Sequence, residues 1–160
     1  MIIKYDGENM IKVLFVCHGN ICRSPMAEFL FKDLVKKKNL EDKFYIESCA
    51  TSSEEIGNGV HYGTKTILDK LGIDCSQKRA RKINQKDFYE FDYIIAMDNN
   101  NLRWLRGYQE YQKVKLLLTY ANINRDVKDP WYTGNFEETY DDICIGLAAF
   151  LEYLKGKKVI

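Results

Sequence analysis

Val13-Leu14-Phe15-Val16-Cys17-His18-Gly19-Asn20-Ile21-Cys22-Arg23-Ser24-Pro25-Met26-Ala27-Glu28 is an apolar run that ends in a cysteine, loops, and enters a helix. Four apolar residues in a row predict a strand buried on both faces, as in the parallel sheet of an α/β protein. Cys17 then falls at the strand's carboxyl end. Gly19 and Asn20 are residue types that tolerate unusual backbone angles, so the loop can turn successive N–H groups inward as an anion cradle. Ser24 is expected as N-cap and Pro25 as the first helical residue, which opens the loop onto a positive helix end.

The C-x5-R-S spacing gives each residue a task. A thiol at the mouth of an anion cradle loses its proton easily, because a helix end, Arg23 and the Ser24 hydroxyl all favour the thiolate. Arg23 supplies a planar fork for two equatorial oxygens of a phosphoryl group, a geometry Lys cannot reproduce. Together they describe phosphoryl transfer through a phosphocysteine. A packed, inert cysteine beside a surface arginine is the bland alternative.

With 160 residues, 46% of them hydrophobic, the chain suffices for one well-buried core and is short for two domains. Twenty-four Lys and Arg against 23 Asp and Glu give no whole-molecule signature for nucleic acid or an acidic membrane. No stretch approaches a membrane helix, and the start lacks a signal-peptide pattern, so a cytoplasmic protein is expected. Five scattered cysteines with no C-x-x-C pair suggest neither a disulfide framework nor zinc.

Outward from the opening stretch, residues 1–10 read as an appendage with a polar turn at Asp6-Gly7-Glu8-Asn9, and residues 11–160 as the domain. Ala27, Leu30, Phe31, Leu34 and Val35 recur at helical spacing up to Lys36-Lys37-Lys38. Phe44–Ser48 is a second strand, joined to the first through that helix as a right-handed βαβ unit. The polar loop 49–59 should wall the site, and a helix over 61–71 ends at Gly72. Lys78-Arg79-Ala80-Arg81-Lys82 reads as a solvated connection. Phe91–Met97 is a third strand, with Asp98 capping the next helix, and Val114–Leu118 a fourth. A long loop to Asp129-Pro130-Trp131-Tyr132 is the natural lid. Asn135 and Glu138 then form a capping box for an amphipathic helix through Leu154.

The stretch Val16–Glu28 resembles the phosphate-binding signature of the low-molecular-weight protein tyrosine phosphatases, and similarity extends through Thr51-Ser52, Glu55–Asn58, Phe91–Asp98, Asn101-Leu102 and Asp129–Tyr132. The resemblance implies a single-domain three-layer α/β sandwich with a four-stranded parallel sheet, order 2-1-3-4, and helices on both faces. It implies hydrolysis of phosphotyrosine without metal or cofactor, by a monomer acting on phosphotyrosine proteins or peptides and releasing phosphate. Carried over, Cys17 attacks phosphorus, Arg23 binds the equatorial oxygens, and Asp129 is general acid and then base. His18, Gly19, Asn20, Ile21, Cys22 and Ser24 form the loop on the phosphate; Asn20 holds its shape and Ser24 stabilises the thiolate. Trp131 and Tyr132 line a slot for a flat ring.

Two departures bear on specificity. Glu54 stands where many members have an aromatic residue, which makes that rim more acidic, and Gly59–Gly63 lacks the usual Asp-x-Arg. Arsenate reductases share the fold, but their relay needs paired distal cysteines, and none occurs between Cys75 and Cys144. A phosphoarginine branch tends to carry Thr where Ile21 stands. A noncatalytic phosphate-binding module is the alternative from another class.

Overall fold

The computed structural model describes residues 10–160, so the expected appendage lies outside the described residues except for Met10. Strand β1 (Ile11–Cys17) is the centre of the sheet because its residues are apolar on both sides of the pleat. Val13, Phe15 and Cys17 face one hydrophobic core, and Leu14 and Val16 the other. That alternation places a helical layer on each face.

The flanking strands are β2 (Phe44–Ala50) and β3 (Tyr93–Ala96), both parallel to β1, with β4 (Lys115–Leu116) outside β3. The order 2-1-3-4 is as expected. Helices α1 (Arg23–Lys37), α2 (Tyr62–Lys70) and α6 (Phe136–Gly156) cover the first face. Phe15, Phe31 and Phe150 meet there, each fully buried. Each such side chain contributes about 1.5–3 kcal/mol. Helices α3 (Gln85–Glu90) and α4 (Asn99–Leu105) lie with Phe88 and Leu105 in the second core, and α5 (Pro130–Thr133) is a single turn. No helix among the described residues is long and apolar enough to cross a membrane.

Several expectations need correction. The fourth strand shrinks to two residues because Leu117–Ala121 turns into a 3-10 helix beneath α6. Gly146 of α6 permits this, since a Cβ there would come 2.4 Å from Leu117 Cγ. An apolar run alone cannot distinguish that tuck from a strand. The third strand is shorter at both ends, and α3 precedes it, opened by an Asn84/Asp87 capping box. Helix α1 starts at Arg23 with Cys22 in the cap position, so Ser24 is not the N-cap and Pro25 is not the first residue. At α6 only half the capping box forms: the Asn135 side chain accepts from the Glu138 amide, while Glu138 meets the Asn135 side-chain nitrogen.

The basic run is solvated only in part: Arg79 and Lys82 are exposed, whereas Lys78 and Arg81 are drawn inward. Lys78 Nζ lies 3.2 Å from Glu28 Oε1 and donates to Ser48 O at 2.8 Å. Arg81 holds both Asp87 oxygens and Glu47. The buried Glu28 and Asp87 and the half-buried Glu47 claim these two cations.

Candidate active site

The parallel register brings the carboxyl ends of three strands together, with Cys17 opposite Ala50 and Val16 opposite Ala96. The loop that leaves β1 is fastened from outside. Thr51 N–H donates to Cys17 O at 2.9 Å, and the Ser52 amide and hydroxyl both donate to His18 O. His61 N–H holds Ile21 O at 2.9 Å, and the Thr64 hydroxyl holds Cys22 O at 3.0 Å. In a trans peptide the N–H points opposite to the preceding C=O. With these four carbonyls pulled outward, the following amides of His18, Gly19, Cys22 and Arg23 turn to the inner side. An anion cradle results. Its left-handed residue is Asn20, with φ 59°, and not Gly19. Gly19 is instead close-packed, since a Cβ there would meet Glu55 Cγ at 3.3 Å.

Cys17 Sγ sits at the bottom and receives the amides of Asn20 at 3.3 Å and Ser24 at 3.4 Å. The Ser24 hydroxyl lies 3.0 Å from it. Its direction follows from its neighbours. Asn20 Oδ1 accepts from Arg81 N–H at 3.1 Å, so the Asn20 amide nitrogen must face Ser24 Oγ and Ser48 Oγ, at 2.8 and 2.9 Å. Ser24 thus accepts from Asn20, and its own proton has the sulfur at 3.0 Å and Cys49 O at 3.4 Å as acceptors. Ser48 likewise passes its proton to Glu28 Oε1 at 2.6 Å. Three donors thus converge on one sulfur near the N-terminus of α1. Asn20 and Ser24 are 1% and 0% exposed and stand behind the sulfur, not on the pocket wall.

Arg23 is the largest fully buried side chain. Its Nη1 donates to Asp98 Oδ2 at 2.7 Å and to Val127 O at 2.8 Å, and Nη2 reaches Asp129 Oδ2 at 3.4 Å. Both Nη1 protons are spent. The fork left for an anion is therefore Nε–H with Nη2–H. Burial works against the guanidinium charge, but Cys17, Asp98 and Asp129 outweigh it and hold Arg23 above its ordinary value. Asp98, expected as a cap, does two things: Oδ1 accepts from Asn101 N–H at 2.7 Å, and Oδ2 takes Arg23.

Asp129 caps α5 through Oδ1, which accepts from Trp131 N–H at 3.0 Å, and leaves Oδ2 toward Arg23 and the pocket. The segment before it is held at two points. Val127 N–H donates to Met97 O at 2.9 Å, and Arg125 grips both oxygens of Asp142. Trp131 and Tyr132 form one wall of the pocket and are exposed at its mouth. Ile21, Cys22 and Gly19 line the loop side, with Glu54 and Glu55 on the rim. His18 Nε2 pairs with Glu54 Oε2 at 3.1 Å, and its ring stands edge-on to Trp104. All five cysteines are free thiols. Among the described residues no group of three His, Cys, Asp or Glu side chains converges to hold a metal ion.

The sequence alone did not single out Glu55, Ser48, Glu28, Val127 or Trp104. All but Glu28 reach the site from a distant segment, and only the second strand's polar Ser48 hinted at a buried hydrogen-bonding role.

Chemically, the site combines a sulfur nucleophile, a cradle of amides, a guanidinium fork and a carboxylate on the opposite wall. Residues 12–159 match the family described as low molecular weight phosphotyrosine protein phosphatase. The chain is 46% identical over 154 residues to the low molecular weight protein-tyrosine-phosphatase YfkJ of Bacillus subtilis, covering 93% of this chain and 99% of that one. The crystal structure of YfkJ superposes with a TM-score of 0.88 at 45% identity, covering 93% and 97% of the two chains. A drosophila arginine phosphatase structure gives a TM-score of 0.83 at 35% identity, covering 90% and 98%.

Proposed function

From the premise that the chain belongs to the low molecular weight phosphotyrosine protein phosphatase family, we propose that it hydrolyses phosphotyrosine in proteins or peptides through a phosphocysteine on Cys17. The observation that carries this reading is the Cys17 sulfur, given three hydrogen-bond donors at the base of a pocket that Arg23 and Asp129 wall.

In the first step the Cys17 thiolate attacks phosphorus as the bond to the tyrosine oxygen breaks. The cradle amides and the free Arg23 fork hold the equatorial oxygens in the transition state. A phenolate leaves poorly unless protonated, and Asp129 on the facing wall delivers the proton. In the second step Asp129, now a carboxylate, takes a proton from water. The water oxygen bonds to phosphorus, the P–S bond breaks, and the thiolate leaves into the hydrogen bonds of Ser24 and Asn20. Phosphate is the product.

The acid is tested with Asp129→Asn, which keeps the α5 cap but cannot donate a carboxyl proton. It should cost about 10²–10³-fold in kcat/KM, which reports the first step, for phenyl phosphate and phosphotyrosine, and under about tenfold for an activated nitrophenyl ester. Equal losses across leaving groups would remove Asp129 from the role. Including phosphoarginine in the same panel tests the second reading, which the similarity to the arginine phosphatase motivates.

The rim sets the preference among phosphopeptides. Glu54 is exposed, and with Glu55 it puts carboxylates beside the mouth. A peptide with glutamates flanking the phosphotyrosine should show kcat/KM about three- to tenfold below one with lysines, and 0.5 M salt should flatten the difference by screening. Glu54→Lys should invert the order. Identical rates for the two peptides at low salt would show that the rim carboxylates do not act on substrate.

A further inference from the structure

The mouth of the pocket is asymmetric. Away from the carboxylates, a pile of aromatic rings leads outward from Trp131. The His61 ring centroid lies 5.7 Å from that of Trp131, edge-on at 76°. It also lies nearly parallel to two further rings, Phe136 at 5.1 Å and 16°, and Tyr62 at 4.6 Å and 26°. His61 thus stacks with both rings.

The pile is built into the backbone. A Cβ on Gly63 would come 2.4 Å from Phe136 Cζ, so the phenyl ring rests on bare main chain. His61 Nδ1 accepts from Gly63 N–H at 3.0 Å, which fixes the imidazole, and His61 N–H holds Ile21 O of the phosphate loop. The shelf and the cradle are thereby fastened together. Yet two of its rings face solvent, with Trp131 60% and Tyr62 77% exposed. A cluster of exposed aromatic rings with fixed geometry marks a binding surface.

We propose that this shelf binds an aromatic or large aliphatic side chain of the substrate, about two to four residues from the phosphotyrosine. The proposal rests on the phosphotyrosine reading above. Its occupant follows from continuity: Trp131 both walls the pocket and begins the shelf, so a chain with its phosphotyrosine in the pocket and leaving it on the Trp131 side runs over these rings, away from the Glu54 and Glu55 carboxylates. Two centroid steps of 5.7 and 4.6 Å reach Tyr62. An extended peptide covers that span in about three residues at ~3.3 Å each. Tyr62 presents its outer face to stack on or abut the arriving side chain.

The test is a phosphotyrosine peptide on an alanine scaffold, with phenylalanine placed in turn at each of the four positions before and after the phosphotyrosine. Phenylalanine at one or two of these positions should raise kcat/KM about three- to tenfold, through KM. Tyr62→Ala should reduce the gain to under about twofold, and Tyr62→Phe should keep it, because the ring and not the hydroxyl makes the contact. A flat scan in the unmodified protein overturns the proposal whatever the variants do. So does a gain that survives Tyr62→Ala, or sedimentation showing the rings covered by a second copy at assay concentration. Failure to hydrolyse any of the peptides refutes the phosphotyrosine reading instead.

Discussion

Replacing Cys17 by serine is expected to lower kcat on a phosphotyrosine peptide by about 10⁴-fold or more. The donors around position 17 are arranged for a sulfur anion: two amides at 3.3 and 3.4 Å and the Ser24 hydroxyl at 3.0 Å. A serine hydroxyl in the same place does not ionise at neutral pH, so those donors stabilise nothing. Cys22 offers no substitute. Burial, then the adjacent Cys17, pushes its thiol up to about 12, so it stays protonated at neutral pH. Steady-state assays check the loss, and phosphate binding by the variant checks that the cradle survives. Residual activity within about 100-fold of the unmodified protein would contradict the assignment. Iodoacetate at neutral pH should also label Cys17 and leave Cys22 untouched, since only a thiolate reacts.

Arg23→Lys is expected to cost about 10³-fold in kcat/KM, although it keeps the charge. The guanidinium does three jobs with separate N–H groups. Nη1 anchors it to Asp98 and Val127, Nη2 faces Asp129, and the remaining fork meets the phosphoryl oxygens. A lysine ammonium is one nitrogen with three donors. If it reaches Asp98 it cannot also present a planar pair to an anion. The inhibition constant for phosphate should weaken in parallel with kcat/KM, because the same fork binds product. A loss below about tenfold, or unchanged phosphate inhibition, would show that Arg23 is only a strut between Asp98 and the loop.

The path from Val13 to Glu28 could be read in the sequence because it is local. Period and residue type give a buried strand, and the spacing of Cys17 to Arg23 gives the cradle. What escaped was carried by long-range pairing. Arg23 meets Asp98 and Val127, 75 and 104 positions away, so the Val127 anchor had no local sign, and a site role for Asp98 beside its cap was suggested only by its place at a strand's carboxyl end. Lys78 and Arg81 looked like a solvated run because their partners Glu28, Glu47 and Asp87 are set by folding. Leu117 and Leu118 looked like strand because burial under α6 and burial in a sheet demand the same residues. Ser24 resembled an N-cap, but Asn20 and Cys17 compete for its hydroxyl and the helix begins at Arg23.

Which of Gly19 and Asn20 takes the left-handed backbone was not legible for a similar reason. Both tolerate a left-handed backbone, and only the surroundings decide which one adopts it. Asn20 does so because its side chain bridges Arg81, Ser24 and Ser48 from that conformation. Gly19 needs its missing side chain for the approach of Glu55.

The covalent step is the centre of the account, and the most direct measurement is acid quench of the protein during turnover of a phosphotyrosine peptide, followed by mass spectrometry of its cysteine peptides. Cys17 should carry one added phosphoryl group, which disappears when the substrate is exhausted and never forms in Cys17→Ser. Turnover at the full rate with no phosphoryl group on Cys17 at any time, or with the group on another residue, would contradict it.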